Sequence, residues 1–366
     1  MNNPARFPIL ALLFSLSACG GGATDSSDGP KDPGTKDPNP FVPTELESAV
    51  EALTVALGEQ PEAGNVKISV VANRHSNYWT PAQIGTGRAA SAIGCFSTFD
   101  ATSDGMSSSQ TDILERKISE GFAGISVSAI DAMDIVPTIE HAVSAELDVI
   151  TFDSDAADGS MRSFYLGTVN YEAGKAAGAK MVELIGAQGG EVAVFAGLST
   201  AANARERIRG IEDAFVGTSV SLAKSYFDEI DFEVARTNVE SALDEYTGLA
   251  GIIGVYAYNG PIALDVLEER NATGSLKLVA FDLDVTTLEG LASGKVDAAI
   301  GQRPYWMGYL SVYSLYSMAV LGKDETLRVL GPWLDGDVLS TGQDIVTPDT
   351  IDLYAEYLET LGISNN

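Results

Sequence analysis

The 366-residue sequence has little of what metal sites and common catalytic centres require. It contains two cysteines and two histidines, Cys19, Cys95, His75 and His141, and their spacing matches no zinc-binding motif. It contains neither the G-x-S-x-G sequence of a nucleophile elbow nor the G-x-x-x-x-G-K-[ST] sequence of a phosphate-binding loop. The sequence therefore predicts no metal, no cofactor and no catalytic residues.

Basic residues are scarce as well. Lysine and arginine together number 22 against 51 aspartates and glutamates, and the formal net charge is −29. A protein that binds nucleic acid carries a basic patch instead, so nucleic acid is excluded as a partner. Solubility or a saline habitat is the preferred explanation of the acidity, and a strongly cationic ligand is the alternative.

Long apolar runs are absent, and the best one is too short to span a membrane. Arg6 precedes residues 9–16 (ILALLFSL), whereas a membrane-spanning helix needs about 20 apolar residues. Residues 16–19 (LSAC) resemble the lipobox of bacterial lipoproteins, in which the cysteine is lipidated and becomes the mature N-terminus. The resemblance implies a signal peptide at residues 1–18 and a lipid anchor on Cys19. The alternative is an ordinary secretory signal with a chance cysteine.

Residues 20–44 contain almost nothing that could be buried, since Gly, Pro, Ser, Thr, Asp and Lys dominate. Such a composition predicts disorder. We expect residues 19–47 to form a flexible tether about 25–30 Å in typical span, which holds the folded part off a membrane on the periplasmic or cell-surface side. With lipid on Cys19, Cys95 is a lone thiol and no intramolecular disulfide is available.

The remaining residues predict an α/β fold. About 320 residues exceed one ordinary core, so two lobes are expected. Apolar runs alternate with helical patterns, and many runs are apolar without alternation, which is typical of parallel strands covered on both faces. Predicted helices cover residues 80–93, 132–145, 171–185, 201–215, 261–270, 286–293 and 307–321. A last amphipathic helix is predicted at 350–361, within a C-terminal helix and tail at 350–366.

Four polar side chains stand at the ends of predicted strands. Asp153, Asn259, Asp282 and Gln302 end the runs VITFD (149–153), IIGVYAYN (252–259), LVAFD (278–282) and AAIGQ (298–302). The carboxyl ends of parallel strands meet at one rim of a sheet, where such folds bind ligands. Planar hydrogen-bonding groups gathered there suit a polar small molecule, and a sugar most of all.

Aromatic and guanidinium groups complete this constellation. Tyr78 and Trp79 follow the first predicted strand and suit the apolar faces of a sugar ring. Arg205, at the start of a predicted helix, offers a fork of donors for two neighbouring oxygens. Each residue has a simpler interpretation: the aspartates as helix caps, Arg205 as the partner of a nearby acid, and the aromatic pair as core packing. Their joint placement favours a ligand site.

With these residues, the chain resembles the type I periplasmic sugar-binding proteins, the ribose-binding-protein group of ABC importers, over residues 66–346. The resemblance is carried by motifs in a matching order, namely SNYW (76–79), TFDSD (151–155), ARERIRG (204–210), AYNG (257–260), AFD (280–282) and GQ (301–302).

The resemblance implies two doubly wound parallel-sheet lobes joined by a three-strand hinge, with the ligand enclosed between them. The crossings are expected near Thr168, Gln302 and Ser340. The first lobe would comprise residues 66–168 and 303–340, and the second 169–302 and 341–349.

The resemblance also implies a set of ligand contacts: Tyr78, Trp79, Asp153, Arg205, Phe232, Asn259, Asp282 and Gln302. Two positions depart from the family's ribose binders. Ser154 replaces an arginine and Ser128 replaces an asparagine, and both changes remove reach and hydrogen bonds. These departures argue against ribose itself and leave room for a larger or different polyol.

The leading hypothesis is a monomeric, lipid-anchored binding protein that delivers a monosaccharide or polyol to an ABC permease and performs no chemistry. A second hypothesis is a sensor that presents its closed form to a chemoreceptor or sensor kinase. A third is a carbohydrate-active enzyme that uses Asp153 and Asp282. A transcriptional regulator of similar fold is disfavoured, because a signal and tether occupy the place of its helix-turn-helix.

Overall fold

The computed structural model describes residues 38–58 and 65–363. The predicted signal peptide, Cys19 and most of the predicted tether lie outside the described residues. Within those residues no helix is both long and apolar enough to cross a membrane. From Asn39 onward the chain is built around two β-sheets.

The described strands run in chain order as follows: β1 (Lys67–Ala72), β2 (Phe96–Ala101), β3 (Gly124–Val127), β4 (Asp148–Phe152), β5 (Tyr165–Gly167), β6 (Gly190–Ala196), β7 (Val220–Phe227), β8 (Leu249–Gly254), β9 (Lys277–Phe281), β10 (Ala298–Gly301), β11 (Leu334–Asp335), β12 (Val338–Ser340) and β13 (Asp344–Val346).

The described helices are α1 (Thr44–Leu57), α2 (Thr80–Ile93), α3 (Ser107–Ser119), α4 (Val136–Ser144), α5 (Asn170–Ile185), α6 (Ala202–Phe215), α7 (Phe232–Glu245), α8 (Asn259–Glu269), α9 (Val285–Ala292), α10 (Pro304–Leu321), α11 (Lys323–Leu330) and α12 (Ile351–Thr360). Most helices lie between two consecutive strands, as the alternation in the sequence predicts.

The two sheets have the same internal order. The first runs β11-β12-β5-β4-β3-β1-β2 and the second runs β13-β10-β9-β8-β6-β7. Counted within each sheet, the five consecutive parallel strands follow the order 2-1-3-4-5, which is a doubly wound arrangement. Among the described strands, antiparallel pairing is confined to β11 with β12 and β13 with β10. We call the parts built on these sheets the first and second lobes; the predicted fold class is confirmed.

Both faces of each sheet are covered by helices, which explains the unbroken apolar runs of the strands. In β1, Val70 packs towards α2 and α10, and its neighbour Val71 packs towards α3 and α4. In β8, Ile252 packs on the face that carries α7, α8 and α9, and Ile253 packs on the face that carries α5 and α6. Each lobe therefore has two half-cores with one sheet between them.

The chain passes between the sheets three times: after β5, after β10 and between β12 and β13. The second and third crossings are tied together by Arg303, which donates to Oδ1 of Asp344 from Nε at 3.0 Å and from Nη2 at 2.6 Å. Its Nη1 donates to the carbonyl oxygen of Thr341 at 3.1 Å. Burial raises the pKa of Asp344, and the bonds and charge of Arg303 oppose that rise.

The N-terminal segment departs from the composition-based expectation of a disordered tether through residue 47. Helix α1 begins at Thr44, and its Leu46 and Leu53 are buried in the core of the first lobe. Phe41 is buried too, edge-on to Tyr354 with ring centroids 5.0 Å apart, in the core of the second lobe. Phe41 is the single aromatic residue of residues 20–44, so the average composition of this segment does not indicate that it is buried. The segment consequently contacts both lobes.

Helices α5 and α6 approach each other at two glycines. A Cβ atom added to Gly174 would lie 2.0 Å from the carbonyl oxygen of Arg207, and one added to Gly210 would lie 2.1 Å from that of Tyr171. Real Cβ atoms essentially never approach a carbonyl oxygen so closely, so the two backbones are in direct contact here. This contact sets the distance between α5 and the backbone of Arg207 in α6.

Candidate functional site

Two aspartates occupy equivalent positions in the two lobes. Asp153 directly follows β4 and Asp282 directly follows β9, the fourth strand of each doubly wound sheet. Their backbone N–H groups donate to Leu166 and Ile300 on the next strand, at 3.1 and 2.9 Å. Their φ angles are 58° and 64°, a left-handed conformation that is uncommon outside glycine but accessible to aspartate. Each lobe thus turns a carboxylate out of its strand at the same rim.

Three hydroxyl groups hold the carboxylate of Asp153. Tyr78 donates to Oδ1 at 3.0 Å, and Ser128 and Ser154 donate to Oδ2 at 3.1 and 3.3 Å. Burial raises the pKa of Asp153 to about 6; the bond from Tyr78 and the charge of Arg207 oppose this rise. The two serines at which the sequence departs from ribose binders therefore both serve this carboxylate.

Arg207 lies among the acidic groups of the two lobes and is only 4% exposed. Its Nε donates to Oδ1 of Asn170 at 2.9 Å, its Nη1 donates to the carbonyl oxygen of Val255 at 2.7 Å, and its guanidinium carbon lies 4.7 Å from the centre of the Phe281 ring. Its charge lowers the pKa of Asp153 in one lobe and of Asp282 in the other. We call Asp153, Arg207 and Asp282 the charge cluster.

The predicted arginine, Arg205, does not reach the charge cluster. It lies on the exposed face of α6 and donates to the carbonyl oxygen of Thr200. Residues two apart in an α-helix point about 200° apart, so only one arginine of the pair can face the cleft. Arg207 shares its face with the buried Ala204 and Ile211, and this helical phase is the signal that selects it.

Gln302 and Asp282 directly follow the neighbouring strands β10 and β9, and their side chains are in contact. Gln302 Nε2 donates to Oδ1 of Asp282 at 3.0 Å, and both residues are 8% exposed. Burial raises the pKa of Asp282, opposed by the charge of Arg207 and the bond from Gln302. Asp282 is not a helix cap: Asp284 caps α9 by accepting from the backbone of Thr287 at 2.8 Å.

Asn259 is the first residue of α8 and lies beyond the end of β8, so the predicted eight-residue strand is a shorter strand followed by a turn. Its Oδ1 accepts from the backbone of Tyr256 at 3.1 Å, and its Nδ2 donates to Oδ2 of Asp228 at 3.0 Å. Asn259 therefore shapes the loop and its amide is engaged within the second lobe.

Asp228 was not among the predicted site residues, although it is only 2% exposed. It directly follows β7 and accepts from the hydroxyl of Tyr258 at 2.5 Å as well as from Asn259. Residues 225–228 (SYFD) repeat the pattern of an apolar run followed by aspartate. That pattern is the signal that could have found it.

The aromatic residues separate into three environments. Trp79 is 4% exposed and packs edge-on to Phe152 at 5.3 Å in the first lobe's core. Tyr78 packs on Trp79 and directs its hydroxyl to the charge cluster. Phe232 is 57% exposed at the start of α7, with its ring 4.8 Å from that of Tyr258. Of the three predicted aromatic contacts, Tyr78 therefore reaches the charge cluster, Trp79 packs behind Tyr78 in the core, and Phe232 lies exposed on the surface of the second lobe.

The charge cluster suits a ligand that both donates and accepts hydrogen bonds. Two carboxylates accept, and two of the five N–H groups of Arg207 are used by Asn170 and Val255, which leaves three for a ligand. No group of three or more metal-ligating side chains is found within residues 38–58 and 65–363. Neighbouring hydroxyl groups on a neutral molecule match this set of donors and acceptors.

Comparison with known sequences agrees with this geometry. Residues 68–324, more than half of the chain, match the family model of the periplasmic binding protein domain. The xylose/arabinose-binding protein of Sulfolobus acidocaldarius is 24% identical over 278 residues, covering 71% of this chain and 67% of that protein. The D-allose-binding periplasmic protein of Escherichia coli is 23% identical over 256 residues, covering 66% and 80%.

Solved structures show the same architecture. A sugar-binding protein of a sugar ABC transporter from Bacillus halodurans has a TM-score of 0.70 and 28% identity, covering 79% of this chain and 100% of that one. An ABC transporter solute-binding protein from Burkholderia graminis, in complex with D-arabinose, has a TM-score of 0.68 and 27% identity, covering 80% and 98%. The two doubly wound lobes and the charge cluster drawn from both agree with the match over residues 68–324. This chain therefore belongs to the periplasmic binding protein family, whose members bind solutes and are not enzymes.

Proposed function

We propose that this protein is an extracytoplasmic substrate-binding lipoprotein of an ABC importer, which captures a monosaccharide or polyol between its two lobes and delivers it to a permease. The relatives named above bind xylose, arabinose or allose by name, which supports a sugar as the ligand. The charge cluster is the observation that carries the proposal.

The energetics of the charge cluster suffice for binding without chemistry. A hydrogen bond to a charged group contributes roughly 1.5–3 kcal/mol, so three charged residues supply roughly 5–9 kcal/mol. A micromolar complex requires about 8 kcal/mol. Burial of Tyr78 and Gln302 against the same ligand adds to this sum and offsets part of the loss of rotational and translational freedom.

Ligand entry requires the lobes to separate. Asp153 belongs to the first lobe, whereas Arg207 and Asp282 belong to the second, and Asp282 and Arg207 are almost fully buried. A rotation about the three crossings would expose all three groups to solvent, and closure on a sugar would bury them again. The ion pair between Arg303 and Asp344 lies on two of these crossings and keeps them together during the rotation.

A thermal-shift screen tests the proposed function. The full chain is heated with D-xylose, L-arabinose, D-ribose, D-allose, D-glucose, D-galactose, myo-inositol and sugar alcohols in turn. A ligand at one hundred times its Kd stabilises the folded state by about 2.7 kcal/mol, which raises Tm by several degrees. We expect at least one of these compounds to do so, and a flat response to pentoses, hexoses and polyols alike contradicts the proposal.

Affinity should fall as the pH falls through about 6. Sugar hydroxyls donate to the ionised form of Asp153, whose pKa in the unliganded protein is about 6. At about one unit below this pKa roughly nine-tenths of the carboxyl groups are protonated, so affinity should drop about tenfold between pH 7.5 and pH 5. Isothermal titration calorimetry at the two pH values measures this change.

The stability of the unliganded protein should respond to Asp153 in the opposite direction. A folded-state pKa above the ordinary value means that the folded state takes up the proton first, so protonation of Asp153 stabilises the fold as the pH falls from about 6 towards 4. Asp153→Asn should remove this contribution and flatten the pH dependence of affinity. Unchanged pH dependence in both measurements after this substitution contradicts the assignment.

The lipid anchor on Cys19 is part of the same proposal, and the residues that carry it lie outside the described structure. A lipid on this cysteine would retain the protein at a membrane through residues 20–38. Cys19→Ala should therefore move the protein from the membrane fraction to the soluble extracytoplasmic fraction, as measured by immunoblotting. Retention of the Cys19→Ala variant in the membrane fraction contradicts the anchor.

A further inference from the structure

A cavity of about 540 Å³ adjoins the charge cluster on the side of the crossings. Its lining includes Tyr78, Asp282 and Gln302, three residues of the site described above. Its volume lies within the range of about 300–1,000 Å³ that is typical of small-molecule sites. The space beside the cluster is therefore large enough for a group of the size of a sugar ring.

The chemical character of the cavity differs from that of the charge cluster. Its walls are mostly aromatic and aliphatic and include Trp306, Tyr357, Leu283 and Leu288. The indole N–H of Trp306 already donates to the hydroxyl of Tyr357 at 2.7 Å, so the rest of the indole is apolar surface. Flat apolar walls near a few polar groups suit a ring with apolar faces.

The C-terminal part of the chain supplies one wall of the cavity. Tyr354 and Leu358 of α12 line it, together with Leu361, which directly follows the helix, and Ile363. This part lies beyond residues 68–324, which match the family model. Leu361 and Ile363 also pack against the cores of both lobes.

We propose that the cavity is a second subsite, and that the ligand is a glycoside whose first sugar ring occupies the charge cluster and whose second ring occupies the cavity. Tyr78, Asp282 and Gln302 line the cavity and also belong to the site described above, so they would flank the glycosidic bond. The inference rests on the sugar-binding function proposed above and extends its ligand from one sugar ring to two linked rings.

The test compares each monosaccharide of the screen with its α- and β-linked 4-nitrophenyl glycosides and with a disaccharide that contains it, by isothermal titration calorimetry. We expect at least one two-ring compound to bind about tenfold or more tightly than its parent sugar. Binding of parent sugars alone overturns the second subsite and leaves the proposed function standing. Failure of every sugar and glycoside to bind overturns both.

A matched pair of leucine variants near the C-terminus locates the second ring. Leu361 lines the cavity and is half-buried, whereas Leu353 of α12 is 39% exposed and lies outside the lining. Leu361→Ala should lower the affinity for the two-ring compound several-fold and leave the affinity for the parent sugar unchanged. Leu353→Ala should change neither affinity. Equal loss for both compounds, or no loss for either, overturns the placement. If Leu361→Ala fails to fold, Ile363→Ala serves the same comparison.

Discussion

Arg207→Lys should weaken sugar binding at least a hundredfold, whereas Arg205→Lys should leave the affinity unchanged. Arg207 is buried, and each hydrogen bond from its charged guanidinium group contributes about 1.5–3 kcal/mol, so the loss of two such bonds accounts for a hundredfold change in affinity. Lysine keeps the positive charge but loses the planar fork, the stacking on Phe281 and the simultaneous bonds to Asn170 and Val255. Calorimetry with the sugar identified by the screen measures both variants.

The paired substitution separates the role of Arg207 from a general effect of charge. Both variants keep the net charge of the protein, and both residues lie on α6. Circular dichroism and Tm test whether Arg207→Lys remains folded, since the buried carbonyl of Val255 and the half-buried amide of Asn170 lose their donor in that variant. Wild-type affinity after Arg207→Lys, or a large loss after Arg205→Lys, would contradict the placement of the charge cluster.

Gly174→Ala should lower both stability and affinity. The added Cβ atom would lie 2.0 Å from the carbonyl oxygen of Arg207, so α5 and α6 must separate. Overpacking typically costs about 1–3 kcal/mol, and contact with backbone places this variant at or above the upper end. The displaced α6 would carry Arg207 away from Asp153 and Asp282, and we expect affinity to fall at least about tenfold. Thermal unfolding and calorimetry measure the two effects.

Gly87→Ala is the matched control for this prediction. Gly87 lies within α2, and a Cβ atom there would meet nothing within 4 Å. Replacing glycine by alanine inside a helix then stabilises by about 0.5–1 kcal/mol. The same chemical change should therefore raise Tm at residue 87 and lower it at residue 174. If Gly174→Ala is as stable as the wild type, the direct contact between α5 and α6 is wrong.

The central strands could be predicted from the sequence because they are buried on both faces. LVAFD has no polar residue before its aspartate and VITFD has only the buried Thr151, so both runs are recognisable as strands whose ends place Asp153 and Asp282 at the rim. The edge strands β2 and β7 escaped prediction because they are the outermost strands of their sheets and keep half-exposed polar residues. Asp228, at the end of β7, was missed for the same reason.

The helical side of the site was harder to predict than the strand side. The end of a strand is enough to predict where a residue lies. For a residue on a helix, its position around the helix axis must be predicted as well. The motif ARERIRG contains three arginines, and only the burial of Ala204, Ile208 and Ile211 shows which face of α6 is turned inward. Trp79 and Tyr78 pose the same problem, since adjacent aromatic residues divide between the core and the cleft.

The N-terminal segment gives the protein a mechanical property. Asn39 donates to the carbonyl oxygen of Leu353 at 2.7 Å and Phe41 packs on Tyr354, both in α12, while α1 packs on the first lobe. A load applied to the chain ahead of Asn39 would act first on α12 in the second lobe and then, through α1, on the first lobe. If the proposed lipid anchor on Cys19 holds the protein at a membrane, tension on that anchor would act on both lobes through this segment, and a pull that detaches Phe41 would release the second lobe from the segment that also packs on the first.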